Sequence, residues 1–281
     1  MFEDEYEIVN KIHESDIMCV FTARKKESQE IFFAKKFFFT NDRDEDRIIE
    51  DVLNDAFLVL KDINHPNIIE LIDFKKEFKD NTRNYYCIYR YYNGGNVEDY
   101  LKNKNKSFTE EEVQHIMKQL VEAVKYLHNK KIVHRDIKPR SLLIQYDSEE
   151  DLLEKNILKA KIKLSNFGAS SHLKRGEVLD TIIGTRDYIA PEIKQCSSYN
   201  EKVDIWSLGA TFCELLSCKI NFNILKRDKY PKGQYFPNLS KEANSFIQCM
   251  LQYNPEKRKS ADELSKHDFL IKNVKNFTFE N

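Results

Sequence analysis

The sequence predicts an α+β fold in two lobes, a small β-rich lobe over residues 1–92 and a larger helical lobe over 93–281. Three observations carry this. Short β-like runs dominate up to Tyr92, and long helical apolar stripes dominate after Gly94-Gly95. The 281 residues are 41% hydrophobic, enough to bury one large core or two small ones.

The elements follow in order. Glu7–Asn10 and Met18–Arg24 are short strand-like runs, and Glu30–Phe39 packs phenylalanines on both sides of Ala34-Lys35-Lys36. Asp44–Asp62 has helical spacing, with Ile48, Ile49, Leu53, Phe57 and Leu60 on its apolar stripe. His65-Pro66-Asn67 ends it, and Ile68–Phe74 and Tyr85–Tyr91 complete a five-stranded sheet. Thr109–Asn129 opens with the capping pair Thr109 and Glu112 and buries Ile116, Leu120, Ala123, Val124 and Leu127. Lys202–Ser217 is almost wholly apolar, which predicts a buried central helix, and Ser240–Leu251 is a further helix. The acidic segment Asp147–Glu154 is expected as a solvated, protruding loop.

Composition excludes several functions. The 45 basic and 46 acidic residues leave a net charge of -1, so nothing favours nucleic-acid binding. Met1–Glu5 is acidic with no apolar stretch after it, and no run of about 18 apolar residues exists. No signal peptide and no membrane contact are expected, and the chain reads as cytoplasmic, with a place in a large or cytoskeletal assembly left open. The six cysteines form no Cys-x-x-Cys pair, which argues for reduced thiols and against a zinc site. Of only seven glycines the first is Gly94, so a glycine-rich phosphate loop in the first third is excluded.

Five motifs stand in sequence. They are His134-Arg135-Asp136-Ile137-Lys138-Pro139, Phe167-Gly168, Gly184–Glu192, Val203–Gly209 and Asn254–Arg258. Their order and spacing resemble the eukaryotic protein kinase domain over nearly the whole chain, and Lys138 resembles the serine/threonine branch. The resemblance implies a bilobal kinase-like fold. It implies that Asp136 is the catalytic base position and Lys138 its phosphate-contacting neighbour. It implies nucleotide contacts at Val20, Ala34, Lys36, Tyr92 and Leu143, with Lys36 taken from the Ala-x-Lys pattern of Ala34-Lys35-Lys36. Leu60, Leu71, His134 and Phe167, anchored on Asp204, match a stack of side chains, and Glu192 and Arg258 match a buried pair.

The sequence departs from the family where phosphoryl transfer is done. His13, Ser15 and Met18 replace the loop glycines. Ala56 replaces the glutamate that partners the lysine, with Asp55 adjacent but turned by about 100°. Ser141 replaces the asparagine of the second metal and Asn166 the aspartate of the first. Two neutral oxygens are poor magnesium ligands, so no metal is expected. The expected function is that of a pseudokinase, a protein-binding or allosteric scaffold with transfer of phosphate from ATP lost or very weak. A residual serine/threonine kinase and a nucleotide sensor binding ATP without magnesium stay open. No cofactor is certain. A protein partner is expected at the helix near Asp44 and at an exposed aromatic patch of Phe32, Phe33, Phe37, Phe38 and Phe39. The activation segment is expected to be ordered without phosphorylation, with Thr185 bonded to Asp136 and Lys138.

Overall fold

The computed structural model describes residues 1–15, 18–40, 50, 53–54, 56–79, 82–104, 107–173, 179, 183–195, 197–217 and 236–274. The chain divides into two units, residues 1–64 with 69–93 and residues 65–68 with 94–281. The boundary expected after Tyr92 falls after Asn93, and His65–Ile68 belongs with the second unit.

The first unit is an antiparallel five-stranded sheet of order β1-β2-β3-β5-β4. Its strands are β1 Tyr6–Glu14, β2 Met18–Lys25, β3 Ile31–Thr40, β4 Leu71–Lys79 and β5 Thr82–Arg90. A one-turn helix, α1 (Phe2–Glu5), precedes it. A second helix, α2, is described at residues 50, 53–54 and 56–60; its expected start at Asp44 and the side chain of Asp55 lie outside the described residues. Each sheet face carries its own aromatic layer. On one, Phe2 stacks on Tyr86 at 4.5 Å and on Tyr6 at 5.2 Å, over Phe21, Phe32, Ala34 and Ile88. On the other, Phe39, Tyr85 and Leu53 of α2 pack with Phe37 and Phe74.

This overturns the expected exposed aromatic patch. Phe32 and Phe39 are buried, at 3% and 1% exposure, and Phe33, Phe37 and Phe38 are half-buried. Alternation sends neighbours to opposite faces, and here both faces are covered. The large apolar side chains that this unit does expose include Ile8, Val9 and Ile12 on β1 and Phe78 on β4.

The second unit is mainly helical. Its helices are α3 Val97–Lys104, α4 Glu110–Asn129, α5 Glu149–Glu154, α6 Pro191–Lys194, α7 Lys202–Leu215, α8 Lys241–Met250, α9 Ala261–Ser265 and α10 Asp268–Ile271. Two small antiparallel sheets pair β6 (Ile132–Val133) with β9 (Ser171–His172) and β7 (Leu142–Gln145) with β8 (Lys161–Leu164). Thr109 and Glu112 cap α4 reciprocally, as the sequence pattern predicts. α7 is buried along nearly its whole length, with Phe212 edge-on to Phe246 and Phe269. A Cβ at Gly209 would meet Leu251 at 2.7 Å, so only glycine admits this packing.

The acidic stretch expected as a loop carries α5 instead. Ser148 accepts the Asp151 N–H at its N-terminus, and Glu149, Glu150 and Asp151 sit in the first turn, where the helix dipole favours them. Among the described residues no helix is long and apolar enough to cross a membrane. Cys19, Cys87, Cys213 and Cys249 are free thiols; Cys196 and Cys218 lie outside the described residues.

Candidate functional site

The second unit assembles the His134–Ser141 loop around Asp204 of α7. Asp204 is fully buried and accepts from the backbone N–H groups of His134 at 2.9 Å and Arg135 at 2.8 Å. His128 on α4 meets the same carboxylate at 2.9 Å. Burial pushes the Asp204 carboxyl up, but these bonds outweigh it and hold it below its ordinary range. The His134 ring lies edge-on to Phe167 at 4.8 Å and bonds the Ser165 carbonyl. Burial holds the His134 imidazole below its usual pKa.

This anchor delivers Asp136 into a ring of donors. Lys138 Nζ reaches its two oxygens at 3.0 and 2.8 Å, and the Thr185 hydroxyl donates to Oδ1 at 2.7 Å. Lys138 also donates to Thr185, so the three side chains close a triangle, as expected for Thr185. A third donor, absent from the expectation, completes the ring. Asn166 Nδ2 donates to Asp136 Oδ2 at 2.6 Å. Asn166 is left-handed, at φ 70° and ψ 55°, a conformation asparagine tolerates better than most residues. Four donor contacts hold the carboxylate in place.

The two expected metal positions do not fit a divalent cation. Asn166 turns its amide N–H₂ toward the one nearby carboxylate to which it bonds, where a metal-binding side chain would present oxygen. Ser141 is 1% exposed, and its hydroxyl donates to the Asp136 carbonyl at 2.9 Å. It keeps a brace across the loop and offers no charged oxygen. Among the described residues no group of three or more histidine, cysteine, aspartate or glutamate side chains could hold a metal ion.

Other expected contacts in this unit are present. Arg258 binds Glu192 in a two-pronged pair at 2.5 and 2.8 Å, with its guanidinium 5.1 Å from the Trp206 ring. Leu143 on β7 is half-buried and bridges to Asn96. Arg135 bonds the Ala169 carbonyl and the Tyr199 hydroxyl. Thr181 and most of residues 174–182 lie outside the described residues.

In the first unit the adjacent lysines of β3 part company. Lys36 lies on the face of α1, between Ala34 and Phe38, with its ammonium 5.4 Å from the Tyr86 ring and 6.0 Å from Phe38. Lys35 lies on the α2 face, opposite Val20 on β2 and Cys87 on β5. Val20 and Ala34, grouped by motif, therefore sit on opposite faces. This corrects the placement of Ala34 and Lys36 beside Val20: two residues before Lys35, on Val20's face, stands Phe33. The cause is the antiparallel register, which sets Val20 directly across from Lys35.

No carboxylate is bonded to Lys35 among the described residues. Burial pushes its ammonium below the ordinary lysine range, and pushes the Cys87 thiol opposite it up to about 11. Tyr89, two residues after Cys87 on β5, shares this face, and burial pushes its hydroxyl well above the ordinary tyrosine range. Ala56 is buried at the position expected to partner the lysine. Glu50 of α2 is engaged elsewhere, by Arg83 at 2.8 Å and by the Tyr85 hydroxyl. The Tyr92 hydroxyl accepts the Glu70 N–H at 3.0 Å, and Arg90 pairs with Glu70 and Glu30. At the loop expected to lack glycines, the β1–β2 ladder shifts register between Ile8 and Asn10 and again between Lys11 and His13, and pairs on to Glu14 and Cys19. Ser15 N–H then donates to the Met18 carbonyl at 2.8 Å.

Comparison with known proteins agrees with this architecture. The family model described as protein kinase domain matches residues 6–270. Myosin light chain kinase A of Dictyostelium discoideum is 33% identical over 233 residues, covering 79% of this chain and 74% of its own length. A probable myosin light chain kinase of the same organism is 29% identical over 285 residues, covering 96% of this chain and 84% of its own. Serine/threonine-protein kinase atg1, also of Dictyostelium discoideum, is 32% identical over 81% of this chain but only 33% of its own length. With the motif order, the two units and the Asp204-anchored loop, these matches establish that the chain belongs to the protein kinase domain family.

Proposed function

We propose that this chain is a pseudokinase, a kinase-family fold that acts by contacting protein partners in the cytoplasm while phosphate transfer from ATP is lost or very weak. The observation that carries the reading is the amide of Asn166 donating to Asp136. A carboxylate at that position would repel Asp136 unless a cation lay between them. Asparagine removes the need for the cation and substitutes a hydrogen bond. Ser141 supports the same reading, because its hydroxyl is directed at the Asp136 carbonyl. Loss of charge at a metal site removes the main means of stabilising transferred phosphate. The fold is meanwhile retained, as the Glu192–Arg258 pair and the Asp204 anchor attest.

A residual serine/threonine kinase is the second reading. It is favoured by the closed triangle of Asp136, Lys138 and Thr185, in which Asp136 could still accept a proton from a hydroxyl. The test is incorporation of labelled phosphate from ATP into the protein itself and into a generic basic substrate. The expected result is none above background. Incorporation that disappears in Asp136→Asn would overturn the pseudokinase reading and establish the second.

A further inference from the structure

Phe33 stands two residues before Lys35 on the same face of the sheet. Its cross-strand neighbours are Thr22 on β2 and Tyr89 on β5. Val20, directly opposite Lys35, is 8% exposed and shares that face. In the protein kinase pattern the lysine is preceded, at a distance of two, by alanine. Here the alanine, Ala34, is fully buried in the aromatic layer of the opposite face. The position it would hold beside Val20 is taken by a phenyl ring. An aromatic side chain carries roughly 150–250 Å² of buriable surface, several times that of a methyl. Neither aromatic layer described for the sheet includes Phe33, which is half-buried. On its other side stands Tyr89, the cross-strand partner of Phe33 on β5.

We propose that Phe33 occupies the place of a purine ring on the Val20–Lys35 face of the sheet, so that an adenine nucleotide is excluded by the chain's own side chain. Two flat rings compete for one surface, and the one that is covalently attached is present at far higher effective concentration than any free ligand. Lys35 is then left without the phosphates that would be its counter-ions. The proposal rests on the pseudokinase reading and sharpens it, because it places the defect at base binding as well as at the metal positions.

The test is ATP binding to the full chain, measured by thermal shift and by displacement of a fluorescent ATP analogue, with and without magnesium. Wild type should show neither shift nor displacement at millimolar ATP. Phe33→Ala should bind ATP at least about tenfold more tightly than wild type. That gain should vanish in Phe33→Ala/Lys35→Met and persist in Phe33→Ala/Lys36→Met. Phe33→Leu, which keeps an apolar side chain of similar bulk and so protects folding, should give a smaller gain than Phe33→Ala. ATP binding by wild type that depends on Lys35 would overturn the proposal. So would a folded Phe33→Ala or Phe33→Leu protein with no gain. Binding by wild type without phosphate transfer defeats this inference alone, and phosphate transfer defeats the pseudokinase reading with it.

Discussion

The loop around Asp136 and the face around Lys35 treat buried charge in opposite ways. In the helical unit the buried charges described above are answered. Asp204 has His128 and two backbone donors, Glu192 has Arg258, and Asp136 has Lys138, Thr185 and Asn166. In the sheet unit Lys35 faces a thiol and a tyrosine and bonds no carboxylate among the described residues. The difference teaches what each charge is for. A charge that holds the architecture is costly to leave alone, so its partners are retained with it. An aliphatic stem lets a lysine stay on a strand without a carboxylate partner, because burial then weighs on its ammonium alone.

The largest expected effect falls on the architectural side. Arg258→Ala leaves the Glu192 carboxylate buried and unpaired, and should cost about 3–5 kcal/mol in urea unfolding. A loss under about 1 kcal/mol would mean that the pair is hydrated in solution and that the contrast between the two regions is weaker than drawn. In the sheet unit the matching test is apolar. Phe2→Ala removes a ring that is 1% exposed and packed on Tyr6, Phe21 and Tyr86. It should cost about 3–5 kcal/mol if α1 is a true part of the sheet's core. If truncation leaves stability unchanged, the layer that covers Lys36 is not formed.

A pH titration sharpens the comparison further. The folded Asp204 carboxyl lies below its unfolded value of about 3.9. Its contribution is therefore fully present above about pH 4 and is lost as pH falls through the folded pKa. Acid unfolding of wild type should show this limb, and Asp204→Asn should lack it while being less stable near neutral pH. The smallest effects separate the two lysines. Lys36→Met gives up cation–π contact with Tyr86 and should cost about 0.5–1 kcal/mol. Lys35→Met removes a partly buried amine with no carboxylate and should change stability by less than about 1 kcal/mol, or raise it. A cost of several kcal/mol for Lys35→Met would reveal a counter-ion for Lys35 in solution.

Much of the helical unit was legible from residues alone, because its features are local or are marked by unusual chemistry. Thr109 and Glu112 cap a helix through bonds three residues apart. Asp136, Lys138, Thr185, Glu192 and Arg258 stand at positions of the kinase pattern, and the structure joins the first three and the last two as that resemblance implies. The acidic run forms α5 where a loop was expected, because Ser148 caps it and its carboxylates sit in the first turn. Asn166 was legible as a substitution, but its bond to Asp136 was not, since that depends on a left-handed backbone at one residue.

By itself the sequence determined that neighbouring β3 residues point to opposite faces, that a lysine lies on each, and that Asn166 and Ser141 stand where metal ligands belong. Only the tertiary structure decided which face is which. Strand alternation has two equivalent solutions until something covers one side. Phe2 and Tyr6 from the N-terminus cover the face of Ala34 and Lys36, and Leu53 of α2 covers the other. That choice placed Phe32 and Phe38 in one layer and Phe37 and Phe39 in the other, where a surface patch was expected, and left Phe33 half-buried outside both. The pairing register of β2 with β3 set Phe33 and Lys35, rather than Ala34 and Lys36, on the face of Val20. The physical reason is that burial is a property of the pair of surfaces in contact, and the second surface comes from residues far away in the chain.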